Sequence, residues 1–121
     1  MVYQQENSLI MQRLYTRVLM LMEEENLYLD TSLDLPKLVA KLGTNRTLLS
    51  FTLNSQTGMN FSKWISTYRV HHLIGQLKLH PDKDLDELYP QSGFTSRTSF
   101  FRQFRKVTGM SPKEYLHTQQ K

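Results

Sequence analysis

Gly93-Phe94-Thr95-Ser96-Arg97-Thr98-Ser99-Phe100-Phe101-Arg102-Gln103-Phe104-Arg105-Lys106-Val107-Thr108-Gly109-Met110-Ser111-Pro112 is the stretch that decides how this 121-residue chain folds. Ser96 suits a helix N-cap, where its oxygen accepts a bond from a free first-turn N–H, and Gly109 suits the left-handed residue that ends a helix. About three turns fit between them. Phe100 and Phe104 stand four residues apart on one face and Val107 continues it, while Arg97, Arg102, Arg105 and Lys106 fall outside that stripe. One face is built for burial and the other for an anionic surface.

The stretch has a twin 51 residues earlier, Asn45-Arg46-Thr47-Leu48-Leu49-Ser50-Phe51-Thr52-Leu53-Asn54-Ser55-Gln56-Thr57-Gly58-Met59. The shift superposes Arg46-Thr47 on Arg97-Thr98, Leu49 on Phe100, Leu53 on Phe104, Thr57-Gly58-Met59 on Thr108-Gly109-Met110 and Trp64-Ile65 on Tyr115-Leu116. Upstream the offset is 50, taking Asp34-Leu35 to Asp84-Leu85, Leu38 to Leu88 and Gly43 to Gly93, so the second copy carries one extra residue after its glycine. Agreement over about thirty positions indicates two similar supersecondary units. Each has an Asp cap, a short helix, a glycine turn and a second amphipathic helix, which is the grammar of helix-turn-helix. In that motif the second helix enters the DNA major groove.

Gly93-Phe94, Phe100, Arg102, Phe104, Arg105-Lys106 and the run Gly109 to Tyr115 resemble the C-terminal signature of AraC/XylS-type transcriptional regulators. The resemblance covers roughly residues 32–116 and both repeats. It implies two helix-turn-helix subdomains joined by a long helix, bound to adjacent major-groove segments of double-stranded DNA. It further implies promoter-specific regulation, often as an activator in contact with RNA polymerase, and a separate sensing or dimerising portion attached to this one or missing from it.

The net charge of +4 is unevenly laid out. Met1 to Asp34 has two Lys/Arg against six Asp/Glu, whereas Gly93 to Lys121 has six against one. Positive charge gathers where the groove-reading helix is expected. The chain has no cysteine, which excludes disulfides and thiolate metal sites and fits the cytoplasm. No membrane span and no secretory leader is expected, because no apolar run approaches about eighteen residues and no basic segment precedes an apolar one. No Gly-rich phosphate loop, paired metal-ligand motif or nucleophile with a base appears, so the chain is not expected to be an enzyme and no cofactor or small-molecule ligand is assigned to it.

The pattern predicts an all-α fold of about seven helices. Residues 1–33 comprise a frayed lead-in over 1–6, an amphipathic helix over about 8–25 through Ile10, Leu14, Val18 and Leu21, and a connector from Asn26. Leu19-Met20-Leu21-Met22 widens the helix's apolar face, for core packing or for a partner. Residues 34–59 form the first helix-turn-helix, with Asp34 and Asn45 as caps and Pro36 tolerated in a first turn. Residues 60–80 form a linker helix of about 30 Å, close to the roughly 34 Å between major-groove openings. Residues 81–121 form the second helix-turn-helix and a C-terminal helix starting at Pro112, whose Tyr115 and Leu116 are expected to close over Phe100 and Phe104. Asp84 is expected to cap a helix from Leu85 that Pro90 shortens or kinks, with Tyr89, where the family usually has alanine, pushed toward a groove or the surface.

By resemblance, the base-facing positions fall on Thr47, Ser50 and Phe51 in the first unit and on Thr98, Ser99 and Arg102 in the second. Arg102 carries a fork able to meet O6 and N7 of one guanine. Arg46, Arg97, Arg105 and Lys106 are assigned to phosphates, as are the N–H groups at the Asn45 and Ser96 caps. The first unit departs from the family, which has basic residues near positions occupied here by Phe51, Asn54 and Ser55. Thr47 and Phe51 suit thymine methyls and Ser50 suits several base edges, so apolar or shape-tolerant recognition is expected there; the alternative is Phe51 as a packing residue. Arg69, at a position where the family has arginine, is expected in a structural ion pair. His71 and His72 diverge by about 100° around their helix and cannot share a metal. The rival to DNA binding is a helical protein-interaction module with residual DNA affinity.

Overall fold

The computed structural model describes the backbone of residues 2–119 and the side chains of residues 7–119. Among the described residues there are seven α-helices and no strand: α1 Val2–Glu25, α2 Leu35–Leu42, α3 Arg46–Thr57, α4 Phe61–Leu79, α5 Leu85–Leu88, α6 Arg97–Thr108 and α7 Pro112–Gln119. Short 3-10 turns occupy Leu27–Leu29 and Pro90–Ser92. The chain forms two compact units, Met1–Trp64 and Ile65–Lys121.

In the first unit, Leu14, Val18 and Met22 recur every fourth residue along α1 and are buried together with Leu38 and Leu42 of α2 and Leu49 and Leu53 of α3. That spacing explains why one face of each helix is covered. Helix α1 begins at Val2, which corrects the lead-in expected over residues 1–6: no Gly or Pro interrupts Val2–Asn7, so the helical ladder continues toward the N-terminus. Met1 lies outside the described residues. The Leu19–Met22 quartet is only partly covered. Met22 is core, whereas Met20, like Leu9 and Ile10, is about half exposed. Ile10 therefore leaves the buried stripe to which its spacing assigned it. The connector is more ordered than its sequence suggests, because Asn26 adopts a left-handed φ of 51° and starts a 3-10 turn that buries Leu27.

The turn between α2 and α3 needs a glycine for backbone reasons alone. Gly43 has φ of 65°, while a Cβ built on it would meet nothing within 4 Å. Asp34 Oδ1 accepts the Lys37 N–H at 2.9 Å at the start of α2, as its cap position implies.

The second unit is organised around Phe100. Tyr89, Phe94, Phe101 and Phe104 place ring centroids 5.4, 5.2, 5.3 and 5.8 Å from it. Val70, Leu73 and Leu88 complete the buried cluster, and Tyr115 meets Phe104 edge-on at 5.5 Å. Leu116 is only half-buried and lines a groove of about 340 Å³ with Ile74, Leu77 and Pro81.

Pro90 ends α5 after four residues, as its missing N–H requires, and then opens a 3-10 turn in which that donor is not needed. Two expectations for this region are corrected. Asp84 stands at the cap position, but its carboxylate makes no cap hydrogen bond. Tyr89 is not driven outward: its ring stacks on Phe100 at an interplanar angle of 11°, because the shortened helix leaves room for an aromatic where a full one would not.

Candidate nucleic-acid interface

Helices α3 and α6 are built alike from the residues upward. Each has twelve residues. Asn45 Oδ1 accepts the Leu48 N–H at 2.8 Å, and Ser96 Oγ accepts the Ser99 N–H at 3.1 Å. At the far ends, the Thr57 hydroxyl donates to the Leu53 carbonyl and accepts from the Met59 N–H, at 2.6 and 3.1 Å. Thr108 does the same with Phe104 and Met110, at 2.9 and 3.2 Å. The repeated Thr-Gly-Met is thus a helix-stop device, with the glycine left-handed in both copies.

The outward faces share this register. Arg46, Thr47 and Phe51 are exposed and Ser50 is half-buried; Arg97, Thr98, Arg102, Arg105 and Lys106 are exposed and Ser99 is half-buried. Phe51 is 64% exposed, so its ring packs into no core. The packing role weighed for it is thereby excluded. Arg46, Thr47, Ser50 and Phe51 line one open concavity of about 750 Å³ with Asn54 and Ser55. The last two lie outside the assigned set, yet the 51-residue shift carries them onto Arg105 and Lys106, which is the signal that marks them.

Several assigned residues also hold the scaffold. The oxygens of Asn45 and Ser96 accept at the caps, which leaves the Asn45 Nδ2 hydrogens and the Ser96 hydroxyl hydrogen, with backbone N–H groups, to donate to an anion there. Arg97 lies 3.6 Å from Asp86, and its guanidinium is 5.1 Å from the Phe101 ring centre. Both contacts are solvent-exposed and modest in energy. Ser99 Oγ accepts from Gln103 Nε2 at 2.7 Å, and Gln103 Oε1 accepts from Ser66 Oγ at 2.7 Å. This chain of bonds ties α6 to α4 and orients the helix that carries Arg102. Nothing in the periodicity singles out Gln103, because its partner Ser66 is 37 residues away.

Behind the turn, His72 Nδ1 lies 2.9 Å from the hydroxyl of buried Ser92, the residue before Gly93. Burial lowers the His72 pKa from its ordinary 6.5, favouring the neutral ring. His71, next to it, is exposed. Among the described residues no group of three or more His, Cys, Asp or Glu is placed to hold a metal ion. Arg69 is only 7% exposed, which removes it from any base contact.

Two capped helices of equal length, each following a glycine turn and each exposing polar side chains in one register, define a double helix-turn-helix protein. The helix-turn-helix domain family profile matches residues 38–118, two thirds of the chain, and the chain belongs to this AraC-type family of DNA-binding domains. The transcriptional regulatory protein YesN of Bacillus subtilis (strain 168) is 29% identical over 76 residues, covering 62% of this chain and 21% of YesN. The chain therefore spans about a fifth of that relative's length. A solved protein of unknown function from Listeria innocua superposes with a TM-score of 0.73 at 26% identity, covering 86% of this chain and 95% of that one. The C-terminal domain of the two-component response regulator yesN from Fusobacterium nucleatum superposes at 0.68 with 25% identity, covering 84% and 97%. No helix among the described residues is long and apolar enough to cross a membrane.

Proposed function

We propose that this domain regulates transcription in the cytoplasm by docking α3 and α6 into two major-groove segments of one promoter duplex. The observation that carries the proposal is the shared register of the two helices: Leu49 and Leu53 are buried as Phe100 and Phe104 are, and Arg46, Thr47, Phe51, Asn54 and Ser55 are exposed as Arg97, Thr98, Arg102, Arg105 and Lys106 are. Arg102 is assigned to a guanine, to which its fork can donate twice. Thr98 contacts a neighbouring base, and Ser99, engaged by Gln103, contributes its remaining hydrogen-bonding capacity. Arg97, Arg105 and Lys106 neutralise phosphates beside α6, and Arg46 does so beside α3. Thr47, Ser50 and Phe51 face the bases from α3. A response-regulator relative supports an attached signal-receiving portion, and RNA polymerase is the partner through which activation would act.

Selection from a random duplex pool at fixed salt, followed by titration over a salt series, tests this. Enrichment of a defined site is expected, and Lys106→Ala should lower the slope of log affinity against log salt by about 1. A pool that yields no enriched sequence would refute the proposal.

A further inference from the structure

The position that carries Arg102 in the second unit carries Phe51 in the first, 51 residues earlier. Phe51 is one of the few large apolar side chains left exposed, at 64%, and it sits in the concavity with Thr47 and Ser50. Its ring neither donates nor accepts a conventional hydrogen bond, so it cannot read the donor and acceptor pattern that Arg102 is suited to read. The apolar group that a base edge displays in the major groove is the C5 methyl of thymine. Thr47, one turn earlier on α3, adds a second methyl to the same face. We propose that the first unit recognises C5-methylated pyrimidines, with Phe51 as the specificity-determining residue. The methyl group itself is the ligand. Thymine and 5-methylcytosine are then both accepted, because the ring is blind to whether the adjacent exocyclic group is an oxygen or an amine, and uracil and unmethylated cytosine are both rejected.

The proposal rests on the DNA-binding function given above, and its test separates the two. The 121-residue chain is titrated against the duplex selected from the random pool. Each thymine is replaced in turn by deoxyuridine, which deletes only the methyl. At the sensitive positions, C·G pairs with and without 5-methylation are then compared. Deoxyuridine should weaken binding roughly fourfold per methyl, matching about 0.8 kcal/mol for one buried carbon. 5-Methyl-dC should be bound more tightly than dC by a similar factor, and in Phe51→Ala the methyl dependence should be lost or sharply reduced at the position where it is largest for the unsubstituted chain. Tight binding to the selected duplex with no loss at any deoxyuridine overturns methyl recognition and leaves DNA binding standing. A deoxyuridine effect that survives undiminished in Phe51→Ala overturns the assignment to Phe51. Failure to select any duplex overturns the DNA-binding function and this proposal together.

Discussion

Helices α3 and α6 have the same length, equivalent caps and the same threonine stop, yet their two faces differ in opposite senses. α3 buries aliphatic Leu49 and Leu53 and exposes aromatic Phe51; α6 buries aromatic Phe100 and Phe104 and exposes Arg102. Thr52 and Gln103 occupy equivalent positions as well, but Gln103 is bonded to Ser66 and Ser99, whereas the buried Thr52 hydroxyl has no hydrogen-bond partner. The comparison teaches that the scaffold of such a helix is fixed by its ends and its buried stripe, which leaves the outward positions free to change chemistry. At the equivalent outward position one unit presents the charged Arg102 and the other the apolar ring of Phe51.

The largest expected effect probes the buried stripes. Phe104→Ala should destabilise the second unit by about 3–5 kcal/mol and Leu53→Ala the first by about 2–5 kcal/mol, measured by chemical denaturation. Native unfolding behaviour in Phe104→Ala would mean that α6 is rotated away from its assigned orientation. Next comes the outward face. Arg102→Ala should cost about 1–3 kcal/mol of discrimination at one base position in a binding-site library, while leaving the preferences due to α3 in place. Unchanged preference throughout would remove Arg102 from base recognition.

A smaller effect concerns the unequal pair. Thr52→Val replaces an unpartnered buried hydroxyl with a methyl, and the first unit should gain about 1 kcal/mol. A loss of stability would show that the hydroxyl has a partner after all. The smallest effect is the pH dependence at the second turn. The His72 pKa lies below 6.5 in the folded protein, so at lower pH the unfolded chain binds the extra proton more readily. The contribution is therefore fully present above about 6.5 and is lost as pH falls through the depressed value. His72→Gln should flatten that part of the stability profile; an unchanged profile would assign it to other groups.

Much of this was legible in the sequence for local reasons. Caps at Asn45 and Ser96, stops at Thr57-Gly58 and Thr108-Gly109, and the break at Pro90 each depend on residues within a few positions, so their spacing carries their structure. Phe100 and Phe104 were legible as core because a helix face repeats every three to four residues. The stacking of Tyr89 on Phe100 was not, since it depends on a space that exists only once α5 has been shortened. Asp84 has the right residue type in the right place, but its rotamer is not a property of sequence. Ile10 obeys the helical period and is still exposed, because periodicity marks a face without marking how far along the helix a neighbour covers it. At the interface, the base-facing positions were assigned by resemblance to the family, and the repeat adds Asn54 and Ser55 as the counterparts of Arg105 and Lys106. The contribution of Gln103 was hidden because it links residues far apart in the chain.

Amide chemical-shift mapping of the labelled chain against the selected duplex tests the central claim most directly, that both repeated helices face DNA. The account predicts perturbations concentrated in residues 46–55 and 97–106, with Glu23, Glu24 and Glu25 unaffected. Perturbations confined to α6, or centred on Leu9, Ile10 and Met20 of α1, would contradict it.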